Sequence, residues 1–342
     1  MEWLEQPPAV EVEVFEERAG SILQRNDSPD VPFRYGVNPY RGCQHACAYC
    51  YARPTHQYLG FGAGTDFDSK IVVKVNAASL LRSAFGRPRW ERWPVSFSGV
   101  TDPYQPLEAN YGLTRACLEV CEEYQNPVAI ITKGALVRRD AELLGRIQRR
   151  AGAEVYLSIP FADDAMGRSI EPLAAAPSMR FETLRVLSEA GVPTGVALAP
   201  IIPGLNDSDI PEILQRAREA GASRAFMILL RLPAEVEGVF RERLEQVYPL
   251  RAKRVWSAML EMRGGKLKEA RFGRRMEGSG ARWETLRQLF DVQCRRLGFE
   301  QRERESEIPR GPRGGRQGLL FPDEADVPDE AETPDEASFN EE

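Results

Sequence analysis

The chain's 342 residues, 42% hydrophobic and 28% charged, suffice for one large core or two ordinary ones and indicate a globular protein. No run approaches the roughly 18 consecutive apolar residues of a membrane span, and the opening MEWLEQPPAVEVEVFEERAG lacks the basic start and apolar middle of a secretory signal; the expectation is a cytoplasmic protein without membrane contact. The formal charge of −6 misleads, because ten of the 51 acids lie in residues 323–342, leaving 45 basic groups against 41 acidic ones in a mildly basic body.

In chain order, residues 1–30 read as an N-terminal extension and 31–232 as a core. A short strand, FRYGV, opens the core, and the loop NPYRGCQHACAYCYAR follows it. From residue 70, β-branched runs take turns with helical patterns. KIVVKV precedes a helix opening near Asn76, PVSFSGV (94–100) one around 112–125, and PVAIIT (127–132) one over 139–150. AEVYLSI (153–159) precedes a helix over 178–190, VPTGVALAP (192–200) one over 208–220, and RAFMILLRL (224–232) closes the series. Parallel strands need crossover connections, so this alternation indicates βα units and a mostly parallel sheet. No dinucleotide glycine fingerprint or phosphate loop follows any strand.

In such architectures the ligand site gathers at the carboxyl ends of the strands. That singles out Thr101 and Asp102, Thr132 and Lys133, Ser158, and Asn206 and Asp207, all facing the cysteine loop. Residues 233–300 turn helical around a basic, Gly-rich interruption, RGGKLKEARFGRRMEGSGAR (263–282). Residues 301–342 run through RERESEIPRGPRGGRQGLLF into an acidic tail that holds too little apolar surface to offset its ordering entropy, and read as disordered.

The cysteine loop carries Cys43, Cys47 and Cys50, a C-x3-C-x2-C spacing that gathers half of the chain's six cysteines. Six are too few for a disulfide framework, and a tight trio in a reducing compartment favours metal ligation. Three thiolates can wrap one face of a cube-shaped iron–sulfur cluster and leave its fourth iron open. Zinc needs a fourth protein donor, for which the chain offers only His45, poorly placed in the turn between two cysteines, and His56. Three structural thiols are the remaining reading, which the polar, Gly-bounded GCQHACAYC does not suit.

The C-x3-C-x2-C spacing, with aromatic Tyr49 before its last cysteine, resembles the radical S-adenosylmethionine (SAM) superfamily. The resemblance implies an α/β fold, a partial (β/α)6 TIM-like barrel with a helical C-terminal extension. It also implies a 4Fe–4S cluster on Cys43, Cys47 and Cys50 whose open iron chelates SAM, reductive cleavage to a 5′-deoxyadenosyl radical, and hydrogen abstraction from a substrate. A low-potential electron donor such as flavodoxin or ferredoxin would be a partner. A narrower resemblance, over most of residues 34–297, is to spore photoproduct lyase and its DNA repair photolyase-like relatives. It rests on GCQHACAYCY, SGVTDPYQPLE, ITKGALVRRDAELL, VYLSIPFADD, AGVPTGVALAPIIPG and RFGRRM. That similarity places Tyr49 beside the adenine, Thr101 and Lys133 at the methionine end of the cofactor and Ser158 on the ribose, and it makes Tyr51 a radical-transfer residue. Asp102, beside Thr101, is a further candidate for the cofactor's ammonium. The lyase carries a hydrogen-donating cysteine where this chain aligns Gly99, and glycine returns no hydrogen atom, so a different substrate or outcome is expected.

Cys117 and Cys121 share a helix face with Leu113, Ala116, Val120 and Tyr124, and Cys294 follows Leu286 and Phe290 at helical spacing, so all three read as core thiols. Pro103 and Pro106 of TDPYQPLE read as stiffeners of the barrel rim. Residues 251–282 hold ten Lys or Arg against three acids, with Trp256 and Phe272 interspersed. That is how nucleic acid is gripped without base reading, and also how a solvated helix face looks. A photoproduct-lyase activity and a non-catalytic, metal-bearing nucleic-acid binder are the alternatives to the enzyme reading.

Overall fold

The structure is a computed structural model; it describes residues 11–300 apart from 32, 266, 268–271 and 273. Residues 301–342, the expected acidic tail, and most of the RGGKLKEARFG stretch therefore lie outside the described residues.

Ten strands are β1 (Glu13–Glu17), β2 (Leu23–Arg25), β3 (Tyr35–Val37), β4 (Tyr40–Arg41), β5 (Lys70–Lys74), β6 (Val95–Phe97), β7 (Val128–Thr132), β8 (Ala153–Ser158), β9 (Thr194–Ile201) and β10 (Arg224–Leu229). The main sheet runs β10-β9-β8-β7-β6-β3-β2. Its six strands from β3 to β10 are mutually parallel, and β2 pairs antiparallel at the edge. Six parallel strands in sequence order, each followed by a crossover, match the partial-barrel expectation; no pairing closes β10 onto β3.

One strand is misplaced by sequence reasoning. KIVVKV was expected to head the βα series, but β5 pairs parallel with β1 and antiparallel with β4 in a separate three-stranded sheet. β3 hydrogen-bonds β6 directly and leaves no slot between them. A β-branched run declares itself a strand, but its partner is a long-range choice. Here Glu17 stands opposite Lys74 and Glu13 opposite Lys70, a cross-strand charge match that favours β1.

The crossovers are amphipathic helices. Ala141–Arg150 buries Leu143, Leu144 and Ile147 on one face and ends in Arg149 and Arg150, where the helix dipole favours cations. Pro177–Glu189 starts on a proline whose missing N–H would have had no intrahelical partner. These helices cover a core of strand residues such as Val155, Leu157, Val196 and Ile130. Cys117 and Cys121 are wholly buried in it, and Cys294, 4% exposed, joins from the last helix, Gly280–Leu297, as expected. Helices Val236–Val247 and Pro249–Met262 form a second apolar cluster with Cys47, Tyr49, Phe161, Ile202 and Leu230. The C-terminal helices thus pack over the strand ends, where the site lies.

Candidate functional site

The cysteine loop leaves β3, makes the short strand β4 and turns at Gly42 with φ +78. A Cβ there would stand 2.9 Å from Ile71 Cδ1 and 3.0 Å from the Lys70 carbonyl, so only glycine fits the turn that delivers Cys43. Cys43 and Cys47 are buried in separate apolar clusters, and Cys50, half-buried, packs against both clusters. Burial, and next the Asp102 carboxylate and the other two thiols, push the Cys43 thiol well up; burial likewise raises Cys47 and Cys50. Three thiols that disfavour one another's ionisation in a buried loop suit a metal centre, whose positive charge reverses that penalty.

Each histidine has one ring nitrogen engaged, and His56 Nδ1 is buried without a hydrogen-bond partner. His45 Nδ1 lies 3.3 Å from Asp102 Oδ2, and His56 Nε2 contacts the Lys70 carbonyl at 2.8 Å while its ring sits between Phe61 and Phe67. Among the described residues no three His, Cys, Asp or Glu side chains are gathered as one metal ion requires. A cube holds its thiolates at separate corners, wider apart than donors to a single ion. The donor set therefore fits a cluster with one iron left to an outside ligand.

Facing the thiols is a buried ionic network. Lys133, just past β7, donates from Nζ to Ser158 Oγ at 2.8 Å and lies 5.6 Å from the Tyr49 ring centroid. Glu171 accepts from the Tyr49 hydroxyl and from Arg180, and stands 3.9 Å from Lys133. Arg180 is 1% exposed and also donates to the carbonyls of Ser158 and Ala175. Burial pushes the Glu171 carboxyl up, against which the Arg180 guanidinium works. Two cations thus share one carboxylate, an excess of positive charge that suits an incoming carboxylate.

Thr101 and Asp102 do something else. Thr101 Oγ1 donates to the Gly42 carbonyl at 2.5 Å. Asp102 accepts from Thr132 Oγ1 at 2.6 Å, Lys133 N at 2.8 Å and Tyr104 N at 2.9 Å, besides its contact with His45. Gln105, fully buried, accepts from Gln44 N and donates to the Gly42 carbonyl, while Gln44 Oε1 accepts from Leu107 N. The TDPYQPLE motif is thus a brace for the cysteine loop. Asn206 and Asp207 are also committed, Asn206 to Ile202 N and the carbonyls of Pro160 and Pro200, Asp207 to Gly204 N.

At the rim, Tyr51 is 51% exposed, with the Arg231 guanidinium 5.4 Å from its ring centroid. Arg275 pairs with Asp30 and Ser28 and lies over Phe272, itself 57% exposed. Trp256, expected as a stacking surface, is instead buried between Phe240 and Arg241. Its helical spacing with Ala252, Val255 and Met259 puts it on the apolar face. Sequence reasoning missed Glu171, Arg180, Gln105 and Arg231. Only Gln105 had a signal, since it lies in a motif already singled out.

Sheet, crossovers and cysteine loop together define a radical SAM protein. The radical SAM superfamily profile matches residues 37–217, and the chain belongs to that superfamily, whose members bind a 4Fe–4S cluster and SAM. An uncharacterised protein of Mycobacterium tuberculosis is 38% identical over 221 residues, 64% of this chain and 65% of the relative. The chain thus spans just under two thirds of that relative's length. An uncharacterised protein of Methanocaldococcus jannaschii is 31% identical over 216 residues, 63% of this chain and 77% of the relative. Among solved structures, spore photoproduct lyase complexed with dinucleoside spore photoproduct superposes with a TM-score of 0.59 at 17% identity, covering 84% of this chain and 80% of the other; at that identity the likeness concerns the fold.

Proposed function

We propose that this chain is a radical SAM enzyme that cleaves SAM reductively and passes the resulting radical character to a substrate by hydrogen abstraction. The observation that carries the reading is the pairing of three cysteines on one short loop with Lys133, Ser158 and Tyr49 gathered at the ends of β7 and β8. The cluster and SAM together supply the electron transfer and the 5′-deoxyadenosyl radical. The chain's residues do the positioning. Lys133 offers its ammonium to the SAM carboxylate, Ser158 its hydroxyl to the ribose, and Tyr49, its hydroxyl fixed by Glu171, its ring face to the adenine. Thr101 and Asp102 act through the cysteine loop. Burial of Cys47 and Tyr49 in one apolar cluster with Trp256 and Phe240 keeps water from the reacting centre. The six free thiols suit a reducing cytoplasm, and a low-potential donor such as flavodoxin or ferredoxin would supply the electron. No described helix is long and apolar enough to cross a membrane.

The test is anaerobic reconstitution with iron and sulfide, reduction with dithionite in the presence of SAM, and chromatography for 5′-deoxyadenosine. Product is expected from the native chain; a reconstituted, reducible cluster that yields none overturns the reading.

The lyase outcome has a structural obstacle. Gly99, at the place of the lyase's donor cysteine, has φ +117, a conformation that side-chain-bearing residues rarely adopt, although a Cβ there would meet nothing within 4 Å. The position is open in space but closed to a cysteine by its backbone. A nucleic-acid substrate is supported by the rim. Burial, and next the Arg275 guanidinium, disfavour the charge on Arg231, and Tyr51 and Phe272 are half-exposed beside the two arginines. Guanidinium groups beside half-exposed aromatics suit a phosphodiester with a stackable base. Binding of a fluorescent single-stranded oligonucleotide is expected to weaken roughly tenfold or more between 50 and 200 mM salt and to fall further with Arg231→Ala. A flat salt profile removes the nucleic-acid reading.

A further inference from the structure

Asp102 is a buried carboxylate whose acceptor directions are all in use. Thr132 Oγ1 and Tyr104 N address Oδ1, and Lys133 N and His45 Nδ1 address Oδ2. It offers no lone pair to an incoming ammonium. Burial would raise its pKa, but the His45 imidazole and the hydrogen bonds from Thr132 and Lys133 hold it at about 2, so it is ionised at every working pH.

Its charge is aimed at one corner of the cysteine site. His45, which it contacts, lies two residues from both Cys43 and Cys47, and its neighbour Thr101 holds the carbonyl just before Cys43. The brace reaches the cysteine loop on both sides of Cys43, at Gly42 through Thr101 and at His45 through Asp102 itself. An electron added to the cluster adds negative charge, which a buried anion at one corner opposes in a poorly screened interior.

We infer that Asp102 is a positioning and tuning residue: it ties the cysteine loop to the end of β7 and, through its fixed negative charge beside Cys43, keeps the cluster's reduction potential low. The consequence is a stronger reductant once the electron arrives, which breaking a sulfonium carbon–sulfur bond demands. The inference rests on the cluster reading above, but its failure is separable from that reading's.

The test is potentiometric titration of the reconstituted 4Fe–4S cluster, read by electron paramagnetic resonance and visible absorbance. Asp102→Asn is expected to raise the potential, Asp102→Glu, which retains the charge, to stay close to the native value, and His45→Leu, which strips a donor but leaves the carboxylate ionised, to lower it. An unchanged or lower potential in Asp102→Asn, or equal shifts in the Asn and Glu variants, overturns the tuning role while the cluster itself stands. Should Asp102→Asn take up no iron, the direction of the His45→Leu shift decides, and a rise there overturns the inference. A native chain that binds no cluster overturns the reading beneath it as well.

Discussion

Changing Cys47 to alanine is expected to reduce 5′-deoxyadenosine formation to the background of reductant and SAM alone, with loss of the cluster's absorbance and bound iron. Each thiolate would hold one corner of the cube, and among the described residues no group of His, Cys, Asp or Glu is gathered as a ready alternative site. His45 is held by Asp102 and His56 by the Lys70 carbonyl, while Cys117, Cys121 and Cys294 are buried in the core behind the sheet. Cys117→Ala is the control. It removes one buried sulfur from a close-packed helix face and should cost about 1 kcal/mol of stability through the cavity it leaves, with iron content and product formation retained. Iron and product must therefore part company between the two variants. If Cys47→Ala keeps both, the three-thiol site is wrong; if Cys117→Ala loses both, the ligand set includes a core thiol.

The parts of this site that could be read from the chain are those whose chemistry is local. C-x3-C-x2-C is legible because three candidate ligands lie within eight residues, and the meeting of Lys133 with Ser158 is legible because βα alternation fixes which ends of the strands converge. Partner choice was not legible. KIVVK is a strand in any context, yet only the arrival of β1, more than fifty residues earlier in the chain, decides its sheet. Trp256 looked available because it lies among basic residues, but its helix turns it toward Phe240. Nothing in the sequence sets Glu171 and Arg180 apart from ordinary surface charges. Burial is what gives them meaning, and burial of a charge is a property of everything packed around it.

Glu171 carries the largest stability effect the site predicts. Its carboxylate has no exposed surface and accepts from Tyr49 and Arg180, with Lys133 at 3.9 Å. Replacing it with alanine leaves the Arg180 guanidinium, 1% exposed, without a counter-charge, and leaves the Tyr49 hydroxyl without its acceptor. Breaking a buried pair from one side costs about 3–5 kcal/mol, because the remaining charge keeps its desolvation penalty and loses its compensation. In a chain of this size that corresponds to a fall of roughly 10 °C in the melting temperature of the cluster-free protein. Glu171→Gln preserves the shape and an acceptor oxygen, so its loss should be smaller. Combining Glu171→Ala with Arg180→Met should recover part of the difference, since the orphaned charge goes too. Melting of the native chain, Glu171→Ala, Arg180→Met and the double variant by circular dichroism forms a double-mutant cycle whose coupling term is the measurement. A coupling near zero means that Arg180 is satisfied by the Ser158 and Ala175 carbonyls alone. Glu171 would then act on the site only through Tyr49 and Lys133, and SAM binding would weaken without any matching loss of stability.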